Sequence, residues 1–107
     1  IDPTGYGRIK RDFENNFTSI VEHKDATDEE LKINEINAGI YIFDINTLFS
    51  KLSKIKSDNS QGEYYLGDVL KHIDKDKISI FKTSNQSEIL GINNAEQLNE
   101  IIEKNIN

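Results

Sequence analysis

The sequence predicts a small α/β unit, of the α+β kind that part of a larger domain can have, with helices packed against a sheet. Two observations predict this class. Segments with the two-residue period of strands alternate with segments of helical period along the 107 residues. Hydrophobic residues form 36% of the chain and include 17 isoleucines, so a modest core is expected and a disordered chain is not.

A hairpin and a short helix are predicted in the first third of the chain. Residues 6–11 and 17–21 have strand-like patterns. The segment 12–16 between them ends in paired asparagines, which tolerate the left-handed backbone of tight turns. Thr27, with Glu30 three residues later, has the spacing of a capping box, so one or two helical turns should begin there.

The strongest predicted strand is 35–43, whose apolar run indicates burial on both faces of a sheet. Asp44 or Asn46 then caps a helix. The polar stretch 56–62 is expected to be a loop, and the apolar residues that predict the helix before it are Leu48, Phe49, Leu52 and Ile55.

Two further helices and one strand complete the prediction. A helix is expected over 63–73 and a strand over 78–82. The last helix is expected over 94–106, with inward-facing apolar residues at Leu98, Ile101 and Ile102.

Composition excludes several classes of function. A net charge of −6 is unfavourable for a general nucleic-acid binder or a binder of anionic membranes. No apolar run approaches the roughly 20 residues of a membrane-spanning helix. The chain has no cysteine, which excludes disulfides and thiolate metal sites and fits a reducing cytoplasm. We therefore expect a cytoplasmic protein with no nucleic-acid or membrane partner.

The chain contains no methionine and begins Ile1-Asp2-Pro3. We therefore expect it to be a piece of a longer protein, folded as one unit over 1–107. A piece of a domain should leave apolar surface exposed where its neighbours are missing.

The ionisable clusters favour structural roles. His23 and His72 lie 49 residues apart without metal-ligand spacing, so each is expected to be structural or solvated. The acidic stretch 25–30 lacks the regular spacing of a calcium loop and is expected to be a solvated helix start. Gly5 and Gly7 flank a tyrosine and would permit close approach of a ligand to the backbone, although a plain turn is the favoured interpretation.

Two asparagines are placed more suggestively. Asn37 lies inside an apolar strand pattern, where its amide must find partners if it is buried; the alternative is an edge or bulge position. Asn93 lies at a strand-to-helix boundary, where Asn93 or Asn94 would serve as a helix cap. Either amide could bind a polyhydroxylated ligand, and an amide oxygen could complete a magnesium shell.

Five motifs occur in order along nearly the whole chain: DPTGYGRI (2–9), IVEHKDAT (20–27), EINAGI (35–40), QGEYYL (61–66) and LGINN (90–94). In these motifs the chain resembles the second half of the uridylyltransferase domain of bacterial N-acetylglucosamine-1-phosphate uridylyltransferases. This family is usually bifunctional, with glucosamine-1-phosphate acetyltransferase activity in a left-handed β-helix domain.

The resemblance implies a nucleotide-diphospho-sugar transferase fold, with a Rossmann-like mixed sheet and flanking helices. This chain would be its C-terminal, sugar-binding half, with the nucleotide-binding half before Ile1 and any β-helix beyond Asn107. The reaction implied converts UTP and N-acetylglucosamine 1-phosphate to UDP-N-acetylglucosamine and pyrophosphate, with Mg²⁺ as cofactor. It would serve peptidoglycan, lipopolysaccharide and cell-wall synthesis, in a parent that is a homo-oligomer (a trimer if the β-helix is present).

The resemblance also assigns site residues. Gly7 would place its backbone beside the sugar, Glu22 would accept a hydrogen bond from a sugar hydroxyl, and Asn37 would bond the sugar or its amide region. Asn93 would bind the substrate and ligate Mg²⁺. The segment 63–65 would form a wall behind these contacts. No catalytic residue is assigned in this part of the domain.

Two departures and two alternatives stay open. Ala38 and Gly67 stand where the family usually has hydroxyl-bearing residues, and Gly67 within a helix should cost up to about 1 kcal/mol relative to alanine. The resemblance places the glycine-rich loop that binds the UTP phosphates in the nucleotide-binding half, so the 107 residues alone are expected to be inactive. The alternatives are another sugar-1-phosphate nucleotidylyltransferase, or a truncated, non-catalytic module that binds sugars or other proteins.

Overall fold

The computed structural model describes residues 2–92 and 94–105, and it shows a small unit of mixed helix and strand. Two strands, β1 (Arg8–Arg11) and β2 (Phe17–Val21), precede the helices α1 (Asp28–Leu31), α2 (Ile45–Leu52) and α3 (Ala95–Asn105). Short 3₁₀ helices cover His23–Asp25, Leu66–His72, Lys75–Lys77 and Gln86–Ile89. None of the described helices is long and apolar enough to cross a membrane.

The predicted hairpin is confirmed. Strands β1 and β2 pair antiparallel, with Ile9 opposite Ile20. Asp12 closes the turn, because its carboxylate accepts hydrogen bonds from the backbone N–H groups of Glu14 and Asn16, each at 2.9 Å. Asn15 adopts the left-handed conformation (φ 68°) that the asparagine pair predicted.

The predicted strand 35–43 is wrong beyond its first residues. Residue Ile36 forms an antiparallel bridge with Arg8, and the N–H of Asn37 donates to Gly7 O at 2.8 Å. The described chain then has no strand over 37–43, and Ile42 is 99% exposed. Burial on both faces requires strands and helices beside the segment, and the described residues supply them only at its start.

Predictions for the other segments had mixed outcomes. Helix α2 begins after Asp44, whose side chain accepts from Thr47 N at 2.9 Å, as predicted, and α3 confirms the last helix. The segment 78–82 is not a strand, and the helix predicted over 63–73 is a shorter 3₁₀ helix. Leu98 and Ile102 of α3 are exposed rather than inward-facing.

The core is small and lies between the hairpin and the 3₁₀ helix Leu66–His72. Its buried apolar side chains are Ile9, Phe17, Ile20 and Val69, with Tyr41, Leu70 and Ile78 packed against the first three. Several large apolar side chains stay exposed, as expected for part of a larger domain: Phe13, Ile40, Ile42, Phe49, Phe81 and Ile92. The sheet among the described residues has two antiparallel strands, so a Rossmann-like mixed sheet stays a prediction.

Candidate functional site

An open pocket of about 400 Å³ lies at the end of the hairpin where β1 begins and β2 ends. It brings together three of the four predicted site residues, which come from separate segments of the chain. These are Gly7, Glu22 and Asn37. The other residues around it are Gly5, Tyr6, Ala38, Gly39, Tyr41, Tyr64, Tyr65, Leu66, Gly67, Ile89 and Gly91.

The close approach of its neighbours favours glycine at position 7. A Cβ atom at this position would lie 3.2 and 3.3 Å from the two carboxylate oxygens of Glu22 and 3.3 Å from a methyl group of Ile20. The carbonyl of Gly7 accepts the backbone hydrogen bond of Asn37. A glycine therefore lets the Glu22 carboxylate sit directly against the backbone of the pocket wall.

Glu22 follows β2 directly, is partly buried and belongs to an acidic neighbourhood. Burial raises the pKa of its carboxyl group, and the negative charges of Asp68, Asp25 and Glu63 raise it further. Ionised, this carboxylate is a strong hydrogen-bond acceptor on the pocket wall. It is suited to accept hydrogen bonds from hydroxyl groups.

The side chain of Asn37 is held at both ends. Its Oδ1 atom accepts from the backbone N–H of Gly39 at 3.1 Å, and its Nδ2 atom donates to the hydroxyl of Tyr41 at 2.8 Å. A backbone N–H can only donate, so the amide oxygen must face Gly39 and the amide nitrogen must face Tyr41. Each end keeps further hydrogen-bonding capacity for a ligand: Nδ2 has a second hydrogen and Oδ1 a second lone pair.

All four tyrosines of the chain line this pocket: Tyr6, Tyr41, Tyr64 and Tyr65. Tyr64 is largely exposed, while the hydroxyl of Tyr65 accepts from Gln61 Nε2 at 2.6 Å. The predicted wall at 63–65 thus supplies two of the rings directly. Tyrosine rings offer apolar faces beside polar hydroxyls, which suits a ligand that carries both C–H faces and hydroxyl groups.

Asn93, the fourth predicted site residue, lies outside the described residues. Its neighbour Gly91 lines the pocket, and the N–H of Gly91 donates to the hydroxyl of Tyr6 at 2.8 Å. Asn94 is the residue that caps α3, since its Oδ1 accepts from Gln97 N at 2.8 Å. Within 2–92 and 94–105, no cluster of three or more histidine or acidic side chains could hold a metal ion.

The interpretations of His23 and the acidic stretch are confirmed. His23 Nδ1 accepts from Gly5 N at 3.2 Å and lies 3.3 Å from the guanidinium of Arg8, so this ring ties the glycine turn to the hairpin. Thr27 and Glu30 form the complete capping box at the start of α1.

Sequence reasoning missed three contributors to the pocket. The sequence predicts Tyr41 within a buried strand, Tyr6 at the start of the first strand beside a glycine turn, and Gly67 as an unfavourable residue within a helix. Gly67 is instead buried where a Cβ atom would lie 3.0 Å from the Tyr41 hydroxyl and 3.2 Å from Ile20 Cδ1. The concentration of all tyrosines in or near the five motifs was the available signal for the first two.

Comparison with known proteins supports the resemblance. No protein-family model matches the chain. It is 52% identical over 101 residues to the bifunctional protein GlmU of Staphylococcus saprophyticus, covering 92% of this chain and 22% of that protein. It is 49% identical over 111 residues to the bifunctional protein GlmU of Clostridium botulinum, covering 99% of this chain and 24% of that protein. With the protein of that name from Clostridium novyi it shares 49% identity over 100 residues, covering 92% and 22%.

The chain therefore spans less than a quarter of the length of these curated relatives. The similarity to the Clostridium botulinum protein extends over 99% of this chain, so it includes the segments that line the pocket.

Proposed function

We propose that this chain is the sugar-binding, C-terminal half of the uridylyltransferase domain of a GlmU-like enzyme. The whole enzyme would convert UTP and N-acetylglucosamine 1-phosphate to UDP-N-acetylglucosamine and pyrophosphate. The observation that supports it most is the convergence of Gly7, Glu22 and Asn37 on one pocket lined by every tyrosine of the chain. In this proposal the whole domain contains the Rossmann-like mixed sheet, and the 107 residues of this chain contribute one part of it.

The pocket would act by binding and orienting the sugar phosphate. Gly7 admits the sugar ring close to the backbone, the ionised Glu22 accepts from a ring hydroxyl, and Asn37 bonds the sugar or its acetamido group. A sugar held in this way presents its phosphate oxygen to the α-phosphorus of UTP. The new P–O bond forms as the bond to the β-phosphate breaks, and pyrophosphate leaves. Fixing the two reactants in this geometry is the main source of rate enhancement expected from such a site.

Asn93 would supply one side-chain oxygen to Mg²⁺, with the remaining ligands coming from other parts of the enzyme, from phosphates and from water. The ion would neutralise charge that develops on the phosphates. In this proposal the residues that bind UTP and the other protein ligand of the ion belong to the nucleotide-binding half of the domain, so the 107 residues alone should hold Mg²⁺ weakly and should be inactive. The parent would be a cytoplasmic homo-oligomer.

Pyrophosphate release by the full-length protein tests the metal role. Asn93→Ala should lower the rate of pyrophosphate release from UTP and N-acetylglucosamine 1-phosphate at least about tenfold, through loss of one ligand to the ion. Asn94→Ala is the matched control, because it removes a helix cap at the next position and should leave the rate near that of the wild type. Full activity of Asn93→Ala would remove this residue from the metal site.

Ligand binding to the chain itself separates the alternatives. The chain has no tryptophan and all its tyrosines line the pocket, so its tyrosine fluorescence should report pocket occupancy. N-acetylglucosamine 1-phosphate should change this emission at lower concentration than glucose 1-phosphate. Equal affinity for the two would favour another sugar-1-phosphate nucleotidylyltransferase. The absence of binding to either would contradict a sugar-binding pocket.

A further inference from the structure

Asn37, one of the proposed sugar ligands, makes a polar contact that the proposed sugar interactions do not require. Its Nδ2 atom donates a hydrogen bond to the Tyr41 hydroxyl (2.8 Å). Tyr41 is only four residues further along the chain, and its hydroxyl reaches the pocket from the side of the hydrophobic core. The contact therefore links the core to a predicted ligand-binding amide.

The ring of Tyr41 is fixed by packing. It lies against the core formed by Ile9, Phe17 and Ile20, and it stacks on Phe43 with ring centroids 5.6 Å apart and planes inclined by 22°. Burial raises the pKa of its hydroxyl, the hydrogen bond from Asn37 lowers it by less, and the nearby carboxylates of Glu22 and Asp68 raise it further. The hydroxyl is therefore neutral at physiological pH and can accept the Asn37 hydrogen bond while keeping its own proton.

The hydroxyl reaches this place only because residue 67 has no side chain. A Cβ atom on Gly67 would lie 3.0 Å from the Tyr41 oxygen, closer than nine in ten real Cβ contacts, and 3.2 Å from Ile20 Cδ1. Gly67 is buried, so a methyl group at this position would press on the tyrosine hydroxyl from the core side and displace it from Asn37. The glycine and the tyrosine thus depend on each other.

We propose that Tyr41 is a positioning residue for the sugar site, which fixes the Asn37 amide through its hydroxyl, and that Gly67 is the residue that makes room for it. This inference deepens the proposed function and rests on it. With its amide oxygen on Gly39 and its amide nitrogen on Tyr41, Asn37 presents one N–H and one lone pair in a fixed direction. A preorganised amide loses less entropy when a sugar binds than a freely rotating one.

The two variants Tyr41→Phe and Gly67→Ala, with their double mutant, form the test. Tyr41→Phe keeps the packed ring and removes only the hydroxyl. It should weaken binding of N-acetylglucosamine 1-phosphate to the 107-residue chain about threefold to tenfold, the range expected for one hydrogen bond. Gly67→Ala should weaken binding to a similar extent when residue 41 is tyrosine. In the Tyr41→Phe background it should cost clearly less, because the closest contact, with the Tyr41 oxygen, is gone and only the 3.2 Å contact with Ile20 Cδ1 remains.

The side-chain NH₂ signals of Asn37 provide a readout that loss of packing alone would not reproduce. In the ¹⁵N-labelled chain without ligand, both single variants should shift these two signals. Gly67→Ala should also shift the signals around Ile20, which its new methyl group would contact, whereas the backbone signals at the hairpin turn should keep their positions. Binding that is unchanged in Tyr41→Phe, or additive losses in the double mutant, would overturn the inference and leave the proposed function standing. A wild-type chain whose signals do not respond to N-acetylglucosamine 1-phosphate would overturn both.

Discussion

Two regions of the chain differ in the burial of their apolar side chains and in their hydrogen bonding. They are the hairpin region, residues 7–37, and the C-terminal region, residues 78–105. In the hairpin region, Ile9 and Ile20 are buried, Ile9 N donates to Glu35 O at 2.9 Å, and Arg8 is 2% exposed with its guanidinium donating to the carbonyls of Ile33 and Leu31. In the C-terminal region, large apolar side chains face solvent instead: Ile80, Phe81, Ile92, Leu98 and Ile102.

This difference divides the pocket into two parts. One part is held by the packed hairpin region, and the other lies beside the less packed C-terminal region. Gly7, Glu22 and Asn37 belong to the hairpin region, so their positions follow from packing and from backbone hydrogen bonds. The predicted metal ligand, Asn93, belongs to the C-terminal region. The proposed sugar contacts should therefore withstand changes that affect the segment around Gly91, whose N–H group donates to the Tyr6 hydroxyl.

The largest expected effect comes from the same substitution made in a buried and an exposed isoleucine. Ile20→Ala removes a side chain that is 8% exposed and should lower the free energy of unfolding by about 2–4 kcal/mol. Ile42→Ala, at a side chain that is 99% exposed, should change it by less than about 0.5 kcal/mol. Urea unfolding followed by far-UV circular dichroism measures both. Equal losses would show that 37–43 packs as tightly as the hairpin.

A smaller effect is expected at the ion pair that ties β1 to the segment beside it. Arg11 Nε and Nη2 donate to the two carboxylate oxygens of Glu35 at 2.7 and 2.9 Å. Glu35→Gln should lower the free energy of unfolding by about 1 kcal/mol at pH 7, because a partly buried two-point pair exceeds an exposed one. Glu29→Gln, which breaks the exposed pair with Lys32, should have almost no effect.

The pH dependence of that variant has a defined sign. Hydrogen bonding to Arg11 holds the pKa of Glu35 below its ordinary value of 4.5. The pair therefore stabilises the fold above pH 4.5, and this contribution is lost as the pH falls through the lowered pKa. The difference between wild type and Glu35→Gln should shrink over that range. A difference that stays constant down to strongly acidic pH would contradict an ionic contribution.

The smallest expected effect on stability has the opposite sign. Burial and three neighbouring carboxylates raise the pKa of Glu22 above 4.5, so its ionised form destabilises the fold. The contribution of Glu22 to stability is largest below pH 4.5 and is lost as the pH rises through the raised pKa. Glu22→Gln should therefore raise the thermal unfolding midpoint slightly at pH 7, and the gain should vanish in acid. A lower midpoint at pH 7 would show that the carboxylate stabilises the fold.

Local signals in the sequence were sufficient for the elements that are stabilised locally. The asparagine pair at 15–16, the capping box at Thr27 and the Asp44 cap each act within four residues, and all three are present. The segments 35–43 and 78–82 have apolar runs typical of buried strands. A strand also needs a neighbouring strand to pair with, and the periodicity of one segment does not show whether such a neighbour is present.

The site was predictable to the extent that its residues belong to motifs. Gly7, Glu22 and Asn37 come from three motifs, and the structure brings them to one pocket. The role of Tyr41 was not predictable, because it depends on a hydrogen bond from Asn37 to the Tyr41 hydroxyl. That hydroxyl packs against Gly67, which lies 26 positions further along the chain. No local pattern encodes such a three-residue contact.

The most direct test of the account is where a sugar phosphate binds. N-acetylglucosamine 1-phosphate, titrated into the ¹⁵N-labelled chain, should shift the backbone amide signals of Gly7, Glu22 and Asn37 together, with a single apparent Kd. The same titration of Glu22→Gln should need at least about tenfold more ligand, since a hydrogen bond to a charged group is lost. Shifts that are confined to α3, or three residues that respond with different affinities, would contradict a single sugar-binding pocket.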